Sequence, residues 1–249
     1  TSSSEENYSL SFDGVDDYVE IPYSPNLDIT GNNSFTISAN LKLLNSGYIF
    51  NTGNVGDPEN SILIEVAPNY VRLSWEYNNG SNYDFISNTE SLADSWNTIT
   101  YTWDGSLLSF YLNGSLVNNE TPPSGPGETE DRSYFLGGFD VYGFTGNLEN
   151  FSFWSNALTE EQIQNDIFTS LTGTEEGLEG FWNFNEGFGG VLTDLSANGY
   201  DGTIVGAEWS NDVPNIGSSG EGLASTTFTP DEDLLDNTRY HWQVTAEDL

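Results

Sequence analysis

An all-β protein, an antiparallel two-sheet jelly-roll sandwich with one short helix, is the fold class this sequence predicts. Three observations carry it. Short segments of alternating hydrophobicity recur along the chain, punctuated by Gly, Asn and Asp. A single stretch has helical period and caps. Apolar residues make up 36% and aromatics 14% of 249 residues, enough to build a core despite the charge, whereas disordered acidic chains are poor in both.

The elements follow in order. "SLSFDGVDDYVEIP" (9–22) reads as apolar strand, tight acidic turn, apolar strand. "SILIEVA" (61–67) and "VRLSWEY" (71–77) alternate, and Val71, Leu73 and Trp75 share the parity that should face the core. "NTITYTWDGSLLSFYLNGSLV" (97–117) places strands around Asp104-Gly105 and then Asn113-Gly114, pairs that supply the positive φ of tight hairpins. "NLENFSFW" (147–154) is a further strand. Trp96, Trp103, Phe110, Phe151 and Phe153 are expected in the core. In "LTEEQIQNDIF" (158–168), Thr159 with Gln162 forms a capping box, Glu160 and Glu161 suit the positive helix start, and Ile163 and Ile167 make one apolar stripe. "PPSGPGETEDR" (122–132) is a polar loop. "NDVPNIGSSGEG" (211–222) is a Gly/Ser-rich linker that marks the domain boundary.

These stretches resemble a known family. "LSFDGVDDYVEIPYSPNLDITGNNSFTISANLKL", "SWNTITYTWDGSLLSFYLNGSLV", "GNLENFSFWSNALTEEQI" and "GLEGFWNFNEGFGGVLTDLSANGYDGTIVGAEWSNDVP" are similar, in that order, to the laminin-G-like, concanavalin A-like lectin and glucanase jelly rolls. The resemblance implies a jelly-roll domain over residues 1–212, and the Gly/Ser-rich composition that follows reads as a linker over 213–222. The last stretch is expected to close the sandwich. Residues 223–249 resemble the middle of a fibronectin type III-like domain, with Tyr240, Trp242 and Val244 alternating. Those residues are too few to bury a core alone. They read as a cut neighbour, a segment docked on the sandwich, or half of a host domain whose other strands precede residue 1.

Charge restricts the partners. Thirty-nine acids face one lysine and three arginines, a formal net charge of −35. Nucleic acids and anionic membranes need a basic face that four cations cannot build. No cysteine occurs, which excludes disulfides and thiolate sites. No run of 18 apolar residues occurs either, so no membrane insertion by a helix is expected. Low Lys, abundant Asp and Asn and no Cys suit the exterior of a marine bacterium, secreted or on the cell surface.

Three of the six residues of the first turn, Phe12 to Asp17, are aspartates. Like charges so close raise one another's pKa unless a cation joins them. Ca²⁺ takes six to eight oxygens, so Asp13, Asp16 and Asp17 are the first metal candidates. The resemblance to laminin-G-like domains implies Ca²⁺ near such loops, in agreement with this. The plainer reading is that Asp13 before Gly14 caps a hairpin and Asp17 lies exposed. "TDLSANGYDG" (193–202) offers Asp194 and Asp201, though Asp and Asn there also read as turn-formers. "GNVGDPEN" (53–60) offers Asp57. Zinc is disfavoured, since the one histidine, His241, lies in the tail.

Glycan binding needs aromatic faces beside hydroxyl-binding oxygens. "SWEYNNGSNYDF" (74–85) sets Tyr77 and Tyr83 around Asn78-Asn79-Gly80, and "GGFDVYGFTG" (137–146) sets Asp140 and Tyr142 in a Gly-rich segment. Tyr77 and Tyr142 also read as edge caps. Catalysis is not expected: the E-x-D-x-x-E strand of retaining glycosidases, G-x-S-x-G and phosphate-binding loops are missing from the sequence, and Glu149 is the lone acid of its strand. The sequence therefore points to a non-catalytic carbohydrate-binding module of a large extracellular protein, dependent on or stabilised by Ca²⁺. Its partners would be a glycan or polysaccharide and other domains of the same polypeptide. Two alternatives stand beside it, a structural spacer of a bacterial surface adhesin and an accessory module of a secreted polysaccharide-degrading enzyme.

Overall fold

A computed structural model describes residues 7–214 apart from 28, 32, 53–61, 128–131, 139–141 and 169–170. Among these described residues, sixteen strands form two antiparallel sheets. The first takes β1 (Ser9–Asp13), β3 (Phe35–Asn45), β8 (Trp96–Trp103), β9 (Leu108–Leu112), β10 (Ser115–Glu120), β12 (Thr145–Trp154) and β16 (Glu208–Ser210) in the order β10-β9-β8-β3-β12-β1-β16. β13 (Leu178–Trp182) pairs with the far half of β12. The second sheet takes β2 (Tyr18–Ile21), β4 (Gly47–Thr52), β5 (Ile62–Ala67), β6 (Tyr70–Glu76), β7 (Asn82–Asn88), β11 (Tyr134–Leu136), β14 (Val191–Leu192) and β15 (Gly202–Val205), ordered β14-β15-β2-β11-β4-β5-β6-β7. This is the expected two-sheet sandwich. It lies in the first of two units, Thr1–Val213. The fibronectin-like reading of 223–249 falls outside the described residues.

The predicted parities mostly hold. Phe35, Ile37, Ala39, Leu41 and Leu43 of β3 face Val71, Leu73 and Trp75 of the second sheet across one continuous core. Trp103, Phe110, Phe151 and Phe153 are buried as expected. Trp96 is not. It is half-buried on the outer face, where its indole N–H donates to the Asp212 carboxylate at 3.1 Å. In β12 the register shifts at Asn150, whose φ of 54° forms a bulge. The extra residue lets both Leu148 and Phe151 point inward and turns Glu149 onto the outer face beside Asn40. The 97–117 stretch forms β8, β9 and β10. The Asp104 carboxylate accepts the N–H of Ser106 and Leu107, and Asn113 and Gly114 both hold positive φ.

Helix α1 (Glu160–Phe168) starts at the predicted box: Gln162 N–H donates to Thr159 Oγ1, and Thr159 N–H donates to Gln162 Oε1. Ile163 and Ile167 seat it in a small second cluster with Trp154, Tyr111, Leu158, Leu178 and Phe181 on the outer face of the first sheet.

The opening stretch corrects an expectation. β1 and β2 do not pair as a hairpin. β1 lies between β12 and β16 in the first sheet, and β2 between β11 and β15 in the second. Phe12 and Val19 both point into the core, one from each sheet, so the chain between them must arch from sheet to sheet. Asp13, Asp16 and Asp17 therefore sit at one pole of the sandwich, not at the tip of a ribbon.

Candidate functional site

Three backbone segments meet at this acidic pole. A Cβ on Gly143 would lie 2.7 Å from backbone atoms of Gly14, and one on Gly47 would collide with the Gly143 carbonyl. Only glycine permits that approach, and Gly14 also holds φ at 80°. Gly143 thus brings its neighbour Tyr142 beside the Asp13–Asp17 arch and the start of β4. Tyr142 is 60% exposed, and one face of its ring stacks on Tyr48 at 5.0 Å and 30°. The other candidate of that segment, Asp140, and the loop candidate Asp57 lie outside the described residues.

Among the described residues, Asp13, Asp16 and Asp17 bring one carboxylate oxygen each within 4.8 Å of the others. The arch partly organises itself. Val15 N–H donates to Asp13 Oδ1 and Asp13 N–H donates to Asp17 Oδ2, both at 2.8 Å. Asp17 Oδ1 rests where a side chain at residue 206 would stand, so Gly206 makes room for it. Desolvation pushes the Asp17 carboxyl up; the Asp13 amide opposes this, while the Asp13, Asp16 and Glu208 charges add to it. The donor set is all oxygen, negatively charged and largely exposed at Asp13 and Asp16. That chemistry fits Ca²⁺ and does not fit zinc. A Ca²⁺ held by these three residues would offset two of the arch's three negative charges and present a Lewis-acidic face for hydroxyl oxygens.

Behind Tyr48 the outer face of the second sheet carries a strip that the sequence reading did not single out. Glu65 opposes Tyr48 on one side and Arg72 on the other. Arg72 Nη2 lies 2.6 Å from Glu65 Oε2, and Nη1 lies 3.3 Å from Asp84 Oδ1. Tyr70 Oη donates to Glu65 Oε1 at 2.8 Å and fixes that carboxylate. The available signal was the outward parity of Glu65 and Arg72 in adjacent predicted strands, with Arg72 one of only four cations.

The remaining candidates are separated from this rim. Tyr77 and Tyr83 lie at the opposite pole, where β6 and β7 turn. Both pack on the core, and the Tyr83 ring is covered by Trp75 at 4.8 Å and by Tyr77 at 6.2 Å. Tyr83 Oη donates to Glu120 Oε2. Desolvation pushes both phenols up. Neither offers the open ring face that stacking a sugar requires.

Asp194 is buried. Its Oδ1 accepts the N–H of Phe181 and Ser196, and its Oδ2 accepts Ser196 Oγ and Tyr200 N–H. Asp201 Oδ1 accepts Asp194 N–H. This loop holds its own backbone, as the turn-former reading has it.

Glu149 is the most perturbed acid that remains. At 4% exposure its pKa is pushed to about 7 by burial, against the lowering effect of amide hydrogen bonds from Asn40 and Asn150. It lies within the outer-face ladder of the first sheet, where Asn40 Oδ1 in turn accepts Thr98 Oγ1.

A putative carbohydrate-binding protein from Bacteroides ovatus shares the fold at a TM-score of 0.60 and 19% identity, over 84% of this chain and 61% of that one. The CBM40 of the Ruminococcus gnavus IT-sialidase, solved with α2,3-sialyllactose, matches at a TM-score of 0.51 and 14% identity, over 62% of this chain and 95% of that one. A SAP-like pentraxin from Limulus polyphemus matches at 0.50 and 18%, over 67% of this chain and 84% of that one. In sequence, pappalysin-1 of Mus musculus is 31% identical over 83 residues, 31% of this chain but 5% of that protein. The sequence pattern of the concanavalin A-like lectin/glucanases superfamily spans residues 13–164, more than half of the chain. By that match the chain belongs to the concanavalin A-like lectin/glucanase superfamily.

Proposed function

We propose that this domain is a non-catalytic carbohydrate-recognition module whose site is the acidic and aromatic rim. The observation that carries the reading is the convergence, through Gly14, Gly47 and Gly143, of an exposed Tyr142 stacked on Tyr48 with the three carboxylates of the arch. The open face of Tyr142 would take the apolar face of a pyranose. Asp13, Asp16 and Asp17, with Ca²⁺, would take its hydroxyls. Asp140, in the same segment, remains part of the proposed set. The carbohydrate-binding neighbours support this reading through fold. The charge and the linker-like 213–222 fit a module of a large secreted or surface protein, with neighbouring domains of the same polypeptide as its other partners. Among the described residues, no helix is long and apolar enough to cross a membrane.

No reaction is assigned. Glu149 is enclosed by neutral amides rather than opposed by a second acid across a cleft, and the exposed acids of the arch lie on a turn, not on one strand face.

A glycan array probed with the whole chain, in calcium and in chelator, tests the proposal. Specific hits that weaken in chelator and are lost in Tyr142→Ala, with an unchanged melting temperature, are expected. A blank array in both conditions would favour the second reading, a structural adhesion spacer. That reading draws on the self-bonded arch, in which Asp13 and Asp17 already close the turn.

A further inference from the structure

Every described cation of this protein is already engaged, and this bears on the class of glycan the rim takes. Recognition of an acidic sugar, whether a sialic acid, a uronate or a sulfate ester, calls for a charge-assisted donor, above all an arginine fork with open N–H groups. Arg72 is the cation near the rim, and it approaches Tyr48 from the second sheet. Its two terminal nitrogens are held by Glu65 and Asp84, and Tyr70 locks Glu65 in place. The trio carries one negative charge in surplus. Lys42 lies on the outer face of the first sheet, 2.7 Å from Asp212, whose other oxygen is held by the Trp96 indole. Arg132 stands two residues before β11, at the Tyr134 end that pairs with Thr52 away from the rim, and it too is engaged. The fourth cation, Arg239, lies outside the described residues.

The rim itself is anionic. Asp13, Asp16 and Asp17 stand together, and the charge of Glu208 reaches Asp17. One divalent ion on three carboxylates still leaves the arch negative. An acidic sugar stacked on Tyr142 would thus meet like charge on the arch side and a neutralised arginine on the sheet side, in the field of a chain carrying −35. A neutral pyranose loses nothing there: its apolar face meets the ring, and its hydroxyls donate to carboxylates.

We propose that the Tyr142 rim selects neutral glycans and rejects sialylated, uronate and sulfated ones, because the one described cation within reach is held by Glu65 and Asp84. The inference rests on the carbohydrate-recognition reading and adds its substrate class.

The test uses the whole chain against matched pairs, lactose with sialyllactose and neutral with sulfated oligosaccharides, by calorimetry or array in calcium. The neutral member is expected to bind at least about tenfold more tightly, equivalent to about 1.4 kcal/mol. The double variant Glu65→Gln with Asp84→Asn leaves the Tyr142 ring and the arch untouched and releases Arg72. It is expected to narrow that ratio several-fold, with folding checked by thermal melt. Equal or tighter binding of the acidic members overturns the neutral class while the recognition reading stands. A preference that the double variant does not alter overturns the arginine lock as its cause. Absence of binding to every glycan, with and without calcium, overturns the recognition reading and this inference with it.

Discussion

The two poles of the sandwich are built from the same residue types and do opposite things. At one, Tyr142 stacks on a single ring and leaves its other face to solvent, beside three carboxylates whose oxygens converge. At the other, Tyr77 and Tyr83 sit next to an Asn-Asn-Gly turn that looks equally suited to a sugar, yet Trp75 covers Tyr83, and Trp103 packs edge-on against Trp75 at 5.9 Å. The segment 121–127 closes over that pole, since Gly127 N–H donates to Glu76 C=O and Gly31 N–H donates to Pro126 C=O. The first pole displays its aromatic ring; the second consumes its rings as core. A tyrosine next to Asp and Asn in a turn is thus no sign of a site until one knows which face of the ring is already occupied.

The largest effect that sharpens this contrast is expected at the closed pole. Trp103 is 1% exposed, and Trp103→Ala should cost about 3–5 kcal/mol in urea unfolding. A loss under about 1 kcal/mol would mean that this pole is not packed as described.

Glu149, between the poles, comes next. Its folded pKa of about 7 lies above the ordinary 4.5, so the folded state holds the proton more tightly than the unfolded one. Stability is then greatest below about pH 4.5 and falls as pH rises toward 7, by an order of about 3 kcal/mol at 1.36 kcal/mol per pH unit. Glu149→Gln should remove that slope, gaining stability at pH 8 and little at pH 4, as read from melts across pH. An unchanged pH profile would show that the carboxyl is better solvated than its burial implies.

The smallest of the three concerns the open pole. If the arch binds Ca²⁺ only when folded, a calcium concentration 100-fold above Kd adds about 2.7 kcal/mol, and chelation should lower Tm by roughly 5–11 °C. Asp16→Asn should abolish that shift. A melt indifferent to chelator would remove calcium from the rim.

Much of this was legible in the chain. The helix follows from Thr159 and Gln162, because a capping box acts within one turn. The 97–117 strands follow from Asp-Gly and Asn-Gly, because positive φ is a local demand. Core parity in β5 and β6 follows from alternation. Trp96 lies outward because it shares the parity of Thr98 in β8, opposite to Ile99, Tyr101 and Trp103, and there its indole finds Asp212, which is 116 residues away.

What the sequence by itself determined was a two-layer β architecture, its helix, its excess of negative charge and the crowding of Asp13, Asp16 and Asp17. These depend on backbone propensity, side-chain period and composition, which act over a few residues or over the whole chain at once. Only the tertiary structure decided that the first turn crosses between sheets, that Asp194 spends its oxygens on amides, and that Tyr142 rather than Tyr83 keeps an open ring. It also decided that Arg72 is held by Glu65 and Asp84. Each of those outcomes depends on which distant strands become neighbours, and a carboxylate or an aromatic ring is a ligand or a structural part according to what already touches it.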